Sequence, residues 1–77
     1  MTVTMHTFGA VKDYLDDREW DIKEGMTIRD LRHQILEQYP ELRNQFFRMA
    51  IGSRMAEDDM LLTDGDDISL MPPFSGG

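Results

Sequence analysis

The sequence predicts an α+β domain, a mixed sheet of four to five strands with one main helix on one face. Three observations predict it. Segments of alternating polar and apolar residues stand towards both ends of the chain. A capped amphipathic segment lies between them, and glycine-bearing turns punctuate the remainder.

Val3, Met5 and Thr7 alternate with Thr4, His6 and Phe8, the pattern of a half-buried strand. Gly9 to Asp17 reads as a polar connection. Alternation returns from Glu19 to Lys23, with Trp20 and Ile22 inward, and Glu24-Gly25 turns the chain. The short connection suggests an antiparallel hairpin. Thr27 then caps a helix, with Asp30 in the first turn where the dipole favours negative charge. Ile28, Leu31, Ile35 and Leu36 form its apolar stripe, and Arg29, Arg32, Gln34 and Glu37 its wet side. Pro40 ends it near Tyr39. Leu42 to Phe47 reads as an irregular turn packed against the helix end. Arg48 to Ile51 and Arg54 to Ala56 read as strands joined at Gly52-Ser53, and Glu57-Asp58-Asp59 as a solvated loop. Asp64-Gly65-Asp66 makes a tight turn into a last strand, Asp67 to Met71, with Ile68 and Leu70 inward. The topology that fits best is the β-grasp of ubiquitin, with first and last strands paired at the sheet centre.

A chain of 77 residues supports one domain with one modest core. It contains no cysteine, which excludes disulfides, zinc–thiolate sites and thiol catalysis. No apolar run approaches the roughly 20 residues that span a membrane. Met1 to Phe8 lacks the features of a signal peptide, so a cytoplasmic protein is expected. The 15 acidic and 8 basic residues give a net charge of −7. That argues against a nucleic acid or an anionic membrane as partner and favours a basic protein surface.

Residues 1–71 read as the folded domain and 72–77 as a flexible tail, Pro72-Pro73-Phe74-Ser75-Gly76-Gly77. Pro72 and Pro73 have fixed φ, which lowers the entropy lost when the tail threads into a partner. Six extended residues at about 3.1–3.3 Å each reach roughly 20 Å. Gly76 and Gly77 carry no Cβ and fit a channel too narrow for other residues. The Gly77 carboxyl carbon is open to attack from either side. Phe74 reads as an anchor partway along, or else as an ordinary exposed residue.

These features resemble the MoaD-type sulfur carrier, the small subunit of molybdopterin synthase. The resemblance rests on Leu62-Thr63-Asp64-Gly65-Asp66 before the last strand and on Pro72-Pro73-Phe74-Ser75-Gly76-Gly77 at the end. Phe8-Gly9-Ala10-Val11-Lys12-Asp13 stands where that family has an aromatic residue, a small residue and then Arg-Glu; here the charged pair is Lys12-Asp13. The resemblance implies that an adenylating enzyme (MoeB-type) uses Mg-ATP to activate Gly77. A persulfide sulfur donor then converts the acyl-adenylate to a thiocarboxylate. The large synthase subunit (MoaE-type) receives the tail, and sulfur passes to cyclic pyranopterin monophosphate to build molybdopterin. The small chain is then no enzyme by itself and binds no cofactor.

Strand alternation that turns Val3, Met5, Ile68 and Leu70 towards the helix must turn Phe8 and Met71 to the opposite face. Met55 either joins them or fills the core. An apolar group beside the tail root would be a docking patch, and the resemblance implies that both partners bind through this region. Methionine suits a surface that meets two partners in turn.

Other motifs carry less. His6 and His33 lack the companions of a metal site. Asp64-Gly65-Asp66-Asp67 lacks the glycine position and terminal glutamate of a calcium loop. Asp16-Asp17 and Glu57-Asp58-Asp59 read as solvated faces, because no second domain forms a cleft over them. Two other functions share a Gly-Gly end. One is a ubiquitin-like modifier joined to lysine through Gly77; the other is a sulfur carrier for thiazole or cysteine synthesis.

Overall fold

Each alternating segment becomes a strand in the computed structural model, which describes residues 1–72. Strand β1 (Thr2–Thr7) buries Val3, Met5 and Thr7. It pairs antiparallel with β2 (Arg18–Asp21), the hairpin expected from their short connection. After helix α1 (Ile28–Gln38) come β3 (Arg48–Ile51), β4 (Arg54–Met55) and β5 (Asp67–Met71). The sheet order is β2-β1-β5-β3-β4, with β1 and β5 parallel and the other neighbours antiparallel. This is the β-grasp arrangement, with β5 at the centre and β1 beside it. Pro73, Phe74, Ser75, Gly76 and Gly77, and with them the tail readings, lie outside the described residues.

Helix α1 begins where the sequence marks it. The Thr27 hydroxyl accepts from the Asp30 backbone N–H at 3.3 Å, and the Asp30 carboxylate accepts from the Thr27 N–H at 3.0 Å. This reciprocal capping box satisfies two donors that the first turn leaves free. The Thr27 bonds also hold the Asp30 carboxyl below its usual range. Ile28, Leu31 and Ile35 are fully buried against Val3, Met5, Met49, Ile68 and Leu70, while Leu36 is only partly buried. Gln34 is partly buried and does more than face water. Its carbonyl oxygen accepts the Trp20 indole N–H at 2.9 Å, which gives a buried donor a partner without water.

Two segments differ from expectation. Gly9 to Asp17 is no polar connection. Gly9–Asp13 forms a 3₁₀ helix, and Val11 and Leu15 enter the core at 1% and 2% exposure. The signal is a single apolar pair four residues apart, too short to show a period. Glu57-Asp58-Asp59 is solvent-facing but tied down. Asp58 accepts from the Arg32 guanidinium, which with Arg29 depresses its carboxyl pKa, and its backbone carbonyl accepts from the Arg29 N–H. Arg29 and Arg32 thus carry this loop as well as facing water.

The Asp64-Gly65-Asp66 turn is a clamp on the start of β1. The Asp64 carboxylate accepts from the Thr2 N–H at 2.8 Å. Gly65 donates to the Thr2 carbonyl at 2.8 Å, and the Asp66 carbonyl accepts from the Thr4 N–H at 2.9 Å. Gly65 has φ +86, the left-handed conformation that favours glycine. These bonds set the register of the central parallel pair before β5 begins. Among the described residues, no helix is long and apolar enough to cross a membrane.

Candidate functional site

Parallel pairing places residues of β1 and β5 side by side on the same face of the sheet. His6 lies opposite Ser69 and Thr7 opposite Leu70. One step further, the Phe8 N–H donates to the Leu70 carbonyl at 3.1 Å, which brings Phe8 level with Met71. On the other side of β5, Arg48 lies opposite Met71, and Met55 of β4 lies opposite Ala50. Alternation then turns Phe8, Arg48, Met55 and Met71 away from the helix.

These residues meet. Together with Pro72 they line an apolar concavity of about 450 Å³ on the open sheet face. Phe8 is 49% exposed and Met55 48%, so Met55 belongs to this surface and not to the core. Arg48 was not foreseen, because only strand register shows that it stands beside Met71. Phe46 also departs from expectation. Leu42 is buried and Phe47 packs on the core, but Phe46, two residues before Arg48, is 85% exposed.

The opposite end of the open face is polar. Thr4 pairs with Glu19 across β1 and β2 and with Asp67 across β1 and β5. His6 Nε2 is 3.4 Å from Asp67 Oδ1, and His6 Nδ1 is 3.9 Å from Asp17 Oδ2. The face is therefore apolar where the chain leaves β5 and acidic at the far end. A larger concavity, about 570 Å³, lies between β2 and α1. Its lining mixes charges of both signs, Arg18 and Lys23 with Glu19, Asp21 and Glu37. Among the described residues, no group of three or more His, Asp or Glu side chains could hold a metal ion.

Asp17 fastens the segment after β1. Its Oδ1 accepts from the Thr7 N–H at 2.8 Å, the Thr7 hydroxyl at 2.9 Å and the Lys12 ammonium at 3.0 Å. The Thr7 backbone bond, followed by those from Lys12 and the Thr7 hydroxyl, lowers the Asp17 carboxyl from 3.8 to about 2. Lys12 thus has a structural task, bracing the chain just behind Phe8 and Gly9. Asp17 is a latch and not merely a solvated charge.

A sequence model described as the ThiS family matches residues 5–77. The chain belongs to the ThiS family. Within reach of it is a curated Mycobacterium tuberculosis protein, the molybdopterin synthase sulfur carrier subunit, 32% identical over 75 residues. That match covers 91% of this chain and 90% of the relative. A solved chain from the Helicobacter pylori complex of subunits 1 and 2 of molybdopterin-converting factor superposes with TM-score 0.73. It is 28% identical, with full coverage of both chains (100% of each). A Pyrococcus furiosus structure provisionally assigned as molybdopterin converting factor subunit 1 superposes with TM-score 0.86. At 23% identity, over 94% of this chain and 97% of that one, it shares the fold.

The Asp17 latch has a definite pH signature. A carboxyl whose folded pKa is depressed contributes stability that is complete above its unfolded value of 3.8 and is lost as pH falls through about 2. Asp17→Asn should lower the melting temperature near neutral pH. The gap from the unaltered chain should close as pH falls through that window. A gap independent of pH, measured by circular dichroism, would rule the latch out.

Proposed function

We propose that this chain is the sulfur carrier and small subunit of molybdopterin synthase, with residues 1–71 as a docking body and 72–77 as the working tail. The observation that carries the reading is the apolar concavity of Phe8, Met55 and Met71, whose rim includes Pro72, the first residue of that tail. The kinship with a named molybdopterin synthase sulfur carrier subunit points to the same reaction.

The chemistry divides between chains. A carboxylate is a poor acylating group, because its negative charge repels a nucleophile and an oxide ion is a poor leaving group. An adenylating partner supplied with Mg-ATP would convert the Gly77 carboxylate to an acyl-adenylate, whose AMP leaves readily. The terminal sulfur of a persulfide donor then attacks the acyl carbon and displaces AMP. A second thiol cleaves the resulting acyl disulfide, leaving a disulfide with the donor and a thiocarboxylate on Gly77, which delivers that sulfur within the large synthase subunit. Each carrier brings one sulfur to cyclic pyranopterin monophosphate. The small chain contributes position alone: a surface that docks and an end narrow enough to enter a buried site.

The polarity of the open face suits this task. Its apolar end would bury against a partner while the acidic end meets a basic rim. Charge of this kind acts more on association rate than on final affinity. Arg48, beside Met71, adds one positive group for an acidic residue of the partner.

Two outcomes follow. Gly76→Val, or deletion of Gly77, should abolish sulfur loading while leaving thermal unfolding unchanged. If loading persists in either variant, the reading fails; if mass rises by whole partner proteins, the chain is a modifier instead. Met71→Asp places a charge in the apolar concavity and should weaken binding to both the adenylating enzyme and the large subunit. The expected cost is about 2 kcal/mol, roughly 30-fold in Kd. Unchanged affinity in titration calorimetry, with the variant folded, would remove this surface from the interface.

A further inference from the structure

Gly9 stands where β1 leaves the sheet, level with Pro72 in the continuing parallel register. Its φ is +58, the left-handed region, where side chains are strained. It is also in close contact. A Cβ added at Gly9 would lie 2.8 Å from Pro72 Cγ and 3.2 Å from Pro72 Cδ. Three other glycines have positive φ, Gly25, Gly52 and Gly65, and for each of these a Cβ would meet nothing within 4 Å. Only Gly9 among them combines the backbone conformation with an approach that excludes a side chain.

We propose that Gly9 is a positioning residue for the carrier tail: its missing side chain lets Pro72 seat on the end of β1 and so sets the direction in which the tail departs. The inference rests on the sulfur-carrier reading. The physical reason lies in the ring. Pro72 closes on its own backbone nitrogen, so it cannot rotate away from an added methyl group as a flexible side chain would. To regain ordinary contact the ring would retreat by more than half an ångström and carry its backbone with it. Pro72 is followed by Pro73, whose ring fixes its own φ and restricts ψ of Pro72, so fewer torsions remain there to absorb a change at the root. Neighbouring bonds hold the other side of the contact still. Phe8 donates to Leu70, and Lys12 and Asp17 brace the chain behind Gly9.

Gly52 provides an internal control, since its φ is also +58 and its added Cβ would be unopposed. Gly9→Ala and Gly52→Ala both place a side chain at φ +58, and only the first meets Pro72. With the adenylating enzyme, Gly9→Ala should lower kcat for loading by about tenfold while KM changes by less than about twofold, the mark of a misaimed end and not of lost binding. Gly52→Ala should load like the unaltered chain. In a Pro72→Ala background, where the ring is gone, adding Gly9→Ala should cost no more than adding Gly52→Ala. Equal effects of Gly9→Ala and Gly52→Ala, or an equal Gly9→Ala effect with and without the Pro72 ring, would overturn the proposal. In the unaltered chain, nuclear Overhauser contacts are expected between Gly9 Hα and the Pro72 ring protons. Their absence would overturn it as well, even if Gly9→Ala fails to fold. If the unaltered chain is not loaded at all, the sulfur-carrier reading falls, whereas the proton contact still decides whether the seat exists.

Discussion

The parallel pairing of β1 with β5 is the interaction on which the rest of the structure depends. It joins residues more than sixty positions apart and places β5 at the centre of the sheet. On one side it brings Val3, Met5, Ile68 and Leu70 against the helix, where all four are buried. On the other it brings Phe8 level with Met71, and at the strand ends Gly9 meets Pro72. The core, the open-face concavity and the placement of Pro72 are therefore consequences of one register. A slip of one residue would exchange the two faces, putting the core set in water. The Asp64-Gly65-Asp66 clamp on Thr2 and Thr4 guards against that slip at the point where β5 starts.

Local features were legible and long-range ones were not. Period-two alternation identified β1, β2 and β5, and Thr27 with Asp30 marked the helix start to the residue. Those signals lie within a few positions of each other, where sequence and geometry are directly linked. The 3₁₀ helix at Gly9–Asp13 escaped because Val11 and Leu15 alone do not establish a period. Asp58 read as a solvated charge because its partner, Arg32, lies 26 positions away. Arg48 became visible as a neighbour of the candidate site only once β3 was registered against β5. The alternation argument did anticipate that Phe8 and Met71 share the open face, since parity along a strand is local. Met55 was undecided from sequence, and its half-exposed position resolves it.

A small domain can serve a demanding reaction by supplying only presentation. The arrangement of the open face fits such a division. An apolar concavity, with Arg48 in its lining, stands where β5 ends, and acidic groups lie towards the start of β5. Docking and aiming are then separate physical tasks. On the proposed function, the first would fall to Phe8, Met55 and Met71, and the second to how closely Pro72 rests on the end of β1. Separation would allow a single surface to serve two partners in turn while the same end is activated by one and discharged in the other.

The central claim is that reactivity belongs to the carboxyl end and not to the folded body. Intact-mass measurement after incubation with the adenylating enzyme, Mg-ATP, a persulfide donor and a thiol reductant tests it most directly. The account predicts a single product in which one sulfur has replaced one oxygen, located at Gly77 by fragmentation. An unchanged mass, or sulfur fixed anywhere within residues 1–71, would contradict it.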